Sequence, residues 1–157
     1  MTASNFSMTG APSSRDHAWS QIDWQQAQSQ VRRLQMCIAK AVGTQKWGKV
    51  KTLQWMLTLS YHVKLLAVKQ VSQSSGAKTP GIDGLLWRTA EQKICTASSL
   101  QCLRLKSTTS AARLYSQKER QRPLGIPTLF DRAMQALHLL ALEPVAETTA
   151  HKNSYGF

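Results

Sequence analysis

Between Asp23 and Asp83 the chain carries nine basic side chains, Arg32, Arg33, Lys40, Lys46, Lys49, Lys51, Lys64, Lys69 and Lys78, and no acid. The chemistry open to such a run is neutralisation of a polyanion. Each cation that meets a phosphate releases a condensed counterion, so affinity is high at low salt and falls as salt rises. The whole chain shares the bias, with 20 basic residues against 8 acidic and a formal charge of +12. Self-repulsion of that size favours a polyanionic partner over mere solubility. The spacing of Lys46, Lys49 and Lys51 sets charge on the exposed side of a helix. Trp47 and Trp55 stand among these lysines, where stacking on bases is one use, but tryptophan at helical spacing is more often core.

Other chemistries find little support. The eight acids are scattered, and no pair is spaced to bridge two metal ions. Asp83 has no carboxylate partner nearby and reads as a turn former. Cys37, Cys95 and Cys102 are odd in number and show no ligand spacing, so they are expected to be small buried apolar residues in a reducing compartment. His17, His62, His138 and His151 stand singly, and no structural metal or cofactor is expected. No run of 18 apolar residues occurs, which argues against a membrane span. The first eighteen residues lack the apolar core of a secretory signal and read as a disordered tail.

The elements that must carry the basic residues follow from periodicity. A helix capped by Ser20 or Asp23 shows Ala27, Val31, Leu34, Ile38 and Ala41 on one stripe and ends at Gly43. A second pattern begins about Thr44 with Val50, Leu53, Leu57, Tyr61, Leu65 and Val68 on one side, as one helix to about Ser72 or two joined near Ser60. Pro80, Gly81, Asp83 and Gly84 punctuate the following loop, with Gly81 able to take positive φ. A third helix is expected from Thr89 to about Lys106, with Ile94, Ala97 and Leu100 inward. Ala111–Ser116 and Gln121–Ile126 are expected to pair as a short antiparallel hairpin. A last helix starts at Thr128, capped there and answered by Asp131, with Ala133, Leu137, Leu140 and Ala141 on one face. Pro144 marks where its regularity fails, and apolar residues over more than one stripe predict a face needing cover. The fold class is therefore mainly α with one small antiparallel hairpin.

The run QRPLGIPTLFDRAMQALHLLALEPVAE, followed at Asn153 by NSYGF, resembles the fingers region of group II intron reverse transcriptases, which double as RNA maturases. Trp19, Ile22, Asp23 and Trp24, then Val31, Leu34 and Gln35, then LQWMLTLS and LLAVKQV resemble the extension that precedes those fingers. The resemblance covers residues 19–157. It implies a tail at 1–18, a helical N-terminal extension at 19–75, and at 76–157 a template-contact loop and part of the fingers of a right-hand polymerase, ending before the palm. Polymerisation in that family belongs to palm aspartates, so no catalytic residue is assigned here, and magnesium is expected only with a palm.

The same resemblance implies binding roles. The extension contacts intron RNA, which matches the acid-free basic run. KTPGIDG resembles the loop that lids the template, which would put Lys78 and Thr79 against phosphate and let Gly81 approach backbone closely, while Arg88, flanking the third helix, is counted with the RNA-binding residues. Arg122 matches the arginine expected at the nucleotide phosphates, where a guanidinium forks two oxygens. The preceding stretch AARLYSQKERQRPLGIP departs from the family, being shorter and without its IPK and turn glycine, so Lys118 or Arg120 stands in for the usual lysine. The partners implied are group II intron RNA and a palm and thumb, on a second chain or in further sequence; the compartment is bacterial cytoplasm or an organellar matrix. Three readings stay open: part of an RNA-directed DNA polymerase, a stand-alone RNA-binding splicing module, or an inactive relic.

Overall fold

The computed structural model describes residues 19–100, 112–117 and 120–150, and these are mainly helical. The first long helix, α1, spans Trp24–Gly43, and its start is chemical: Asp23 stands at the N-cap and its Oδ1 accepts from the Gln26 amide at 2.9 Å. The stripe read from periodicity is the one buried, since Ala27, Val31, Ile38 and Ala41 all lie in the core. Gly43 is the last helical residue, yet the left-handed position falls two residues later, on Gln45 at φ 55°. There the Lys46 amide donates to the Ala41 carbonyl at 2.9 Å and the Gln45 amide to the Val42 carbonyl at 2.8 Å. This pair of bonds is the Schellman closure usually built on glycine.

The second pattern resolves into two helices, α2 at Trp47–Leu59 and α3 at Tyr61–Gln73, divided by Ser60 in an extended conformation. The break resets the helical phase. Val50, Leu57, Leu65 and Val68 remain buried, while Tyr61, expected on the same stripe, is exposed. Trp47 and Trp55 are also exposed, at 50% and 43%, which corrects their expected place in the core. The helix α4 spans Ala90–Ser99, opened by a capping box in which Thr89 and Gln92 satisfy each other's backbone amides. It stops at Ser99 with Leu100 extended, short of the expected Lys106; residues 101–106 lie outside those described. Cys37 and Cys95 are exposed, not buried, because each falls on the outward side of its helix, and Cys102 lies outside the described residues.

Strands β1, Ala112–Gln117, and β2, Arg120–Gly125, pair antiparallel with Tyr115 opposite Arg122. The last helix, α5, spans Leu129–Thr149 and packs against α1, α2 and α3. Thr128 caps it, accepting from the Asp131 amide at 3.1 Å while its hydroxyl donates to the Asp131 carboxylate at 2.8 Å. Leu129, Met134 and Leu137 are buried, so the neighbouring helices cover much of its apolar surface; Phe130, Leu139 and Leu142 stay exposed.

Contrary to expectation, α5 runs through Pro144, which is buried inside it. Proline lacks the amide that would bond the Leu140 carbonyl one turn earlier. A glutamine from another helix fills the gap, and a second bonds the neighbouring carbonyl. Gln35 Nε2 of α1 donates to the Leu140 carbonyl and Gln54 Nε2 of α2 to the Ala141 carbonyl, both at 3.0 Å. An unmet, partly buried carbonyl costs about 1–3 kcal/mol, so Gln35 lets a proline remain within a packed helix.

Two outcomes follow from these contacts. In urea unfolding, Gln35→Leu should lose about 1–3 kcal/mol. The loss should shrink when combined with Pro144→Ala, whose restored amide reclaims the Leu140 carbonyl. Gln45→Gly should stabilise the chain by about 0.5–1 kcal/mol in the same assay, because the left-handed conformation strains an L side chain by more than glycine costs in entropy.

Candidate nucleic-acid interface

The first groove lies between α1 and α3. Its walls carry Arg32 and Lys69 with the amides of Gln28, Gln35, Gln70 and Gln73, over a floor of Val31, Leu66 and Leu140, enclosing about 350 Å³. Lys69 is held in place: its Nζ lies 4.2 Å from the centroid of the Trp24 ring. Trp24 in turn meets Trp19 edge to face at 5.0 Å, and Lys93 Nζ sits 5.6 Å from the Trp19 ring. Cation–π contacts of this kind orient an ammonium without neutralising it.

A second groove of about 650 Å³ runs between the end of α3, the 3-10 turn Ser75–Lys78 and residues Leu86–Arg88. Lys78, Arg88 and Trp87 line it together with Ser72, Ser74 and Gln73. Gln73 lines both grooves, so the pairs Arg32 with Lys69 and Lys78 with Arg88 stand on two adjoining grooves, a track of two segments. Among the described residues no acid lines either groove, though Gln35, in the wall of the first, donates from Nε2 to Glu143 Oε2 at 3.4 Å. The arrangement suits a phosphodiester chain, with cations for the phosphates and amides that donate and accept toward sugar and base edges.

Not every candidate joins the track. Lys46 and Lys49 are exposed at the start of α2, Arg33 and Lys40 are exposed along α1, and Lys64 is half-buried on α3. Lys51 lines a separate groove between α2 and α5 with Trp55 and His138. Arg120 and Arg122 lie in β2, and Lys118 lies outside the described residues. Among the described residues no group of three potential metal ligands occurs.

The 76–84 loop is shaped by a residue that periodicity did not single out. Arg132, in the first turn of α5, donates from Nη1 to the Gly76 carbonyl at 2.6 Å, from Nη2 to the Thr79 carbonyl at 3.1 Å and from Nε to the Pro127 carbonyl at 3.1 Å. A cation at a helix N-terminus opposes the helix dipole, and that local conflict was the available signal that it has other partners. Gly81 does not take positive φ as expected; among the described glycines Gly84 does, at 66°. What Gly81 provides is space, because a Cβ there would lie 2.5 Å from Thr128 Cα. The close approach is made by the protein's own backbone. Thr79 likewise gives its carbonyl to Arg132, and Asp83 does form a turn, its Oδ1 accepting from the Leu85 amide at 3.2 Å.

A family profile described as the N-terminal domain of reverse transcriptase matches residues 19–100, more than half of the chain. The chain belongs to this family. The matched span of this reverse transcriptase N-terminal domain contains α1 to α4, the Gly81–Gly84 turn and all four cations of the track. Protein YkfC of Escherichia coli (strain K12) is similar to it, 38% identical over 99 residues that make up 58% of this chain and 26% of that protein. The match thus spans about a quarter of that relative's length. No helix among the described residues is long and apolar enough to cross a membrane.

Arg132→Lys keeps the charge but not the fork, since an ammonium cannot reach three carbonyls in a plane. It should cost about 2 kcal/mol in thermal or chemical unfolding and speed amide exchange within residues 75–84. Gly81→Ala should produce the same loosening by forcing the loop away from Thr128.

Proposed function

We propose that this chain is the RNA-binding N-terminal part of a group II intron reverse transcriptase and maturase, contributing contacts to intron RNA and template. The observation that carries the reading is the track of Arg32, Lys69, Lys78 and Arg88 along two grooves that share Gln73 and have no acid among their described lining residues. Membership of the reverse transcriptase N-terminal domain family supports a role beside a polymerase. The acid-free run from Trp24 to Ile82 supplies the surrounding field, and Lys46, Lys49 and Lys51 extend it over α2. In this reading residues 76–157 belong to the fingers, the 76–84 loop lies over template, and Lys118, Arg120 and Arg122 serve the nucleotide phosphates. A palm and thumb, in further sequence or on a partner chain, supply the metal-binding aspartates. Partner and compartment follow the reading: intron RNA in bacterial cytoplasm or an organellar matrix.

Binding should be measured by fluorescence anisotropy on a structured intron-type RNA across a salt series. If about six phosphates are neutralised, affinity falls on the order of a thousandfold from low to moderate salt. Removing all four track cations as alanines should flatten the log–log salt slope by about three, roughly 0.7–0.9 per lost phosphate contact. Lys46, Lys49 and Lys51 changed together to Glu should weaken binding broadly without altering sequence preference. Salt-independent binding, or an unchanged slope in the four-alanine variant, would defeat the reading.

A further inference from the structure

A third groove, between α2 and α5, differs in character from the basic track. It encloses about 370 Å³ and is lined by Trp55, Lys51, Gln54, Thr58, His138 and Leu142 among others. Trp47, Lys51 and Trp55 are spaced i, i+4 and i+8, so they rise along one side of α2, and all three are exposed. The two rings are separated by about 12 Å along the helix axis, at about 1.5 Å per residue. Half-exposed indoles are costly in water, and here they alternate with an ammonium. Beneath the groove wall, His138 Nε2 is closed to solvent and has no hydrogen-bond partner among the described residues. The floor is fixed, because Gln54 is tied to the Ala141 carbonyl.

We propose that this groove is a second RNA site, one that takes unpaired nucleobases by stacking. The inference rests on the RNA-binding reading above and adds the class of RNA element recognised. Two features select a base over an apolar protein segment. Lys51 stands between the indoles, where the phosphate joining two splayed bases would pass, and Lys46 and Lys49 on the same helix carry the same sign. The unpaired imidazole nitrogen gains a partner from a base edge once the ring turns toward the groove, which an apolar side chain cannot give. A second copy of the chain is disfavoured by charge, since each carries +12. Stacking is tolerant of base identity because every base presents a π face, so the site reads strandedness and not sequence.

The test uses the full chain and two RNAs of equal length, one with an unpaired internal loop and one carrying abasic residues in that loop. Loop RNA should quench tryptophan emission and bind about tenfold or more tightly than its abasic counterpart, and Trp47→Ala with Trp55→Ala should remove that difference. The salt slope should stay as in the unaltered chain. Both rings are half-exposed, so the variants should unfold at the same denaturant concentration as the parent; Trp55→Phe, retaining a ring, should recover part of the preference. Equal binding of loop and abasic RNA by the unaltered chain would overturn the stacking site while leaving RNA binding standing. No binding of either RNA would instead remove the reading beneath it. A concentration-dependent dimer in sedimentation, dissolved by Trp55→Ala, would show that a second copy occupies the groove and would overturn the proposal.

Discussion

The position of the 76–84 loop depends on one guanidinium. Arg132 bonds carbonyls from three separated points of the chain, Gly76, Thr79 and Pro127, with the planar fork that no other side chain offers. The contact fastens the 3-10 turn and the following residues against the start of α5, and Gly81 permits the approach by having no Cβ to strike Thr128. Lys78 and Arg88, which face one groove, are brought together by this fastening and by the capping box at Thr89, where Gln92 Oε1 also accepts the Arg88 amide at 2.8 Å. A positive charge at a helix N-terminus is unfavourable by itself, and the carbonyl acceptors offset it.

The helix α5 is the element on which the others converge. Its core residues Ala133 and Leu137 are fully buried, and side chains from elsewhere bond its backbone, Gln35 from α1 at the Leu140 carbonyl that Pro144 leaves without an amide and Gln54 from α2 at the Ala141 carbonyl. Gln35 also lines the groove that holds Arg32 and Lys69. One amide therefore joins a structural repair to the wall of the candidate interface, so packing of α5 and shape of the track are coupled. The cation–π contact of Lys69 with Trp24 adds a second constraint on the same groove.

The surface chemistry divides by location. Along α1, α3 and the loop, cations and amides border two mixed grooves; between α2 and α5, Trp55 and Leu142 help line a more apolar one. Both fall on a helical scaffold whose sequence from Trp24 to Ile82 contains no acid to oppose a phosphate. The chain thus combines a strong, non-directional positive field with two kinds of groove.

What the sequence determined by itself was whatever is local. The stripe Ala27, Val31, Ile38 and Ala41, the caps at Asp23 and Thr128, the turn at Asp83 and the acid-free basic run were all legible because each depends on neighbours within a turn or two. Tertiary structure decided the rest. Trp47 and Trp55 looked like core by spacing, but which face of α2 is buried depends on where α1, α3 and α5 lie. Pro144 looked like a helix end because its missing amide is a local fact, whereas the glutamine that takes up the Leu140 carbonyl is 105 residues away in sequence. Gly81 looked like a positive-φ turn because sequence shows the missing Cβ and not the Thr128 backbone that requires its absence. The pairing of Arg32 with Lys69 in one groove and of Lys78 with Arg88 in the next is likewise a product of how the segments pack, since the order of charges along a chain does not state which of them share a groove.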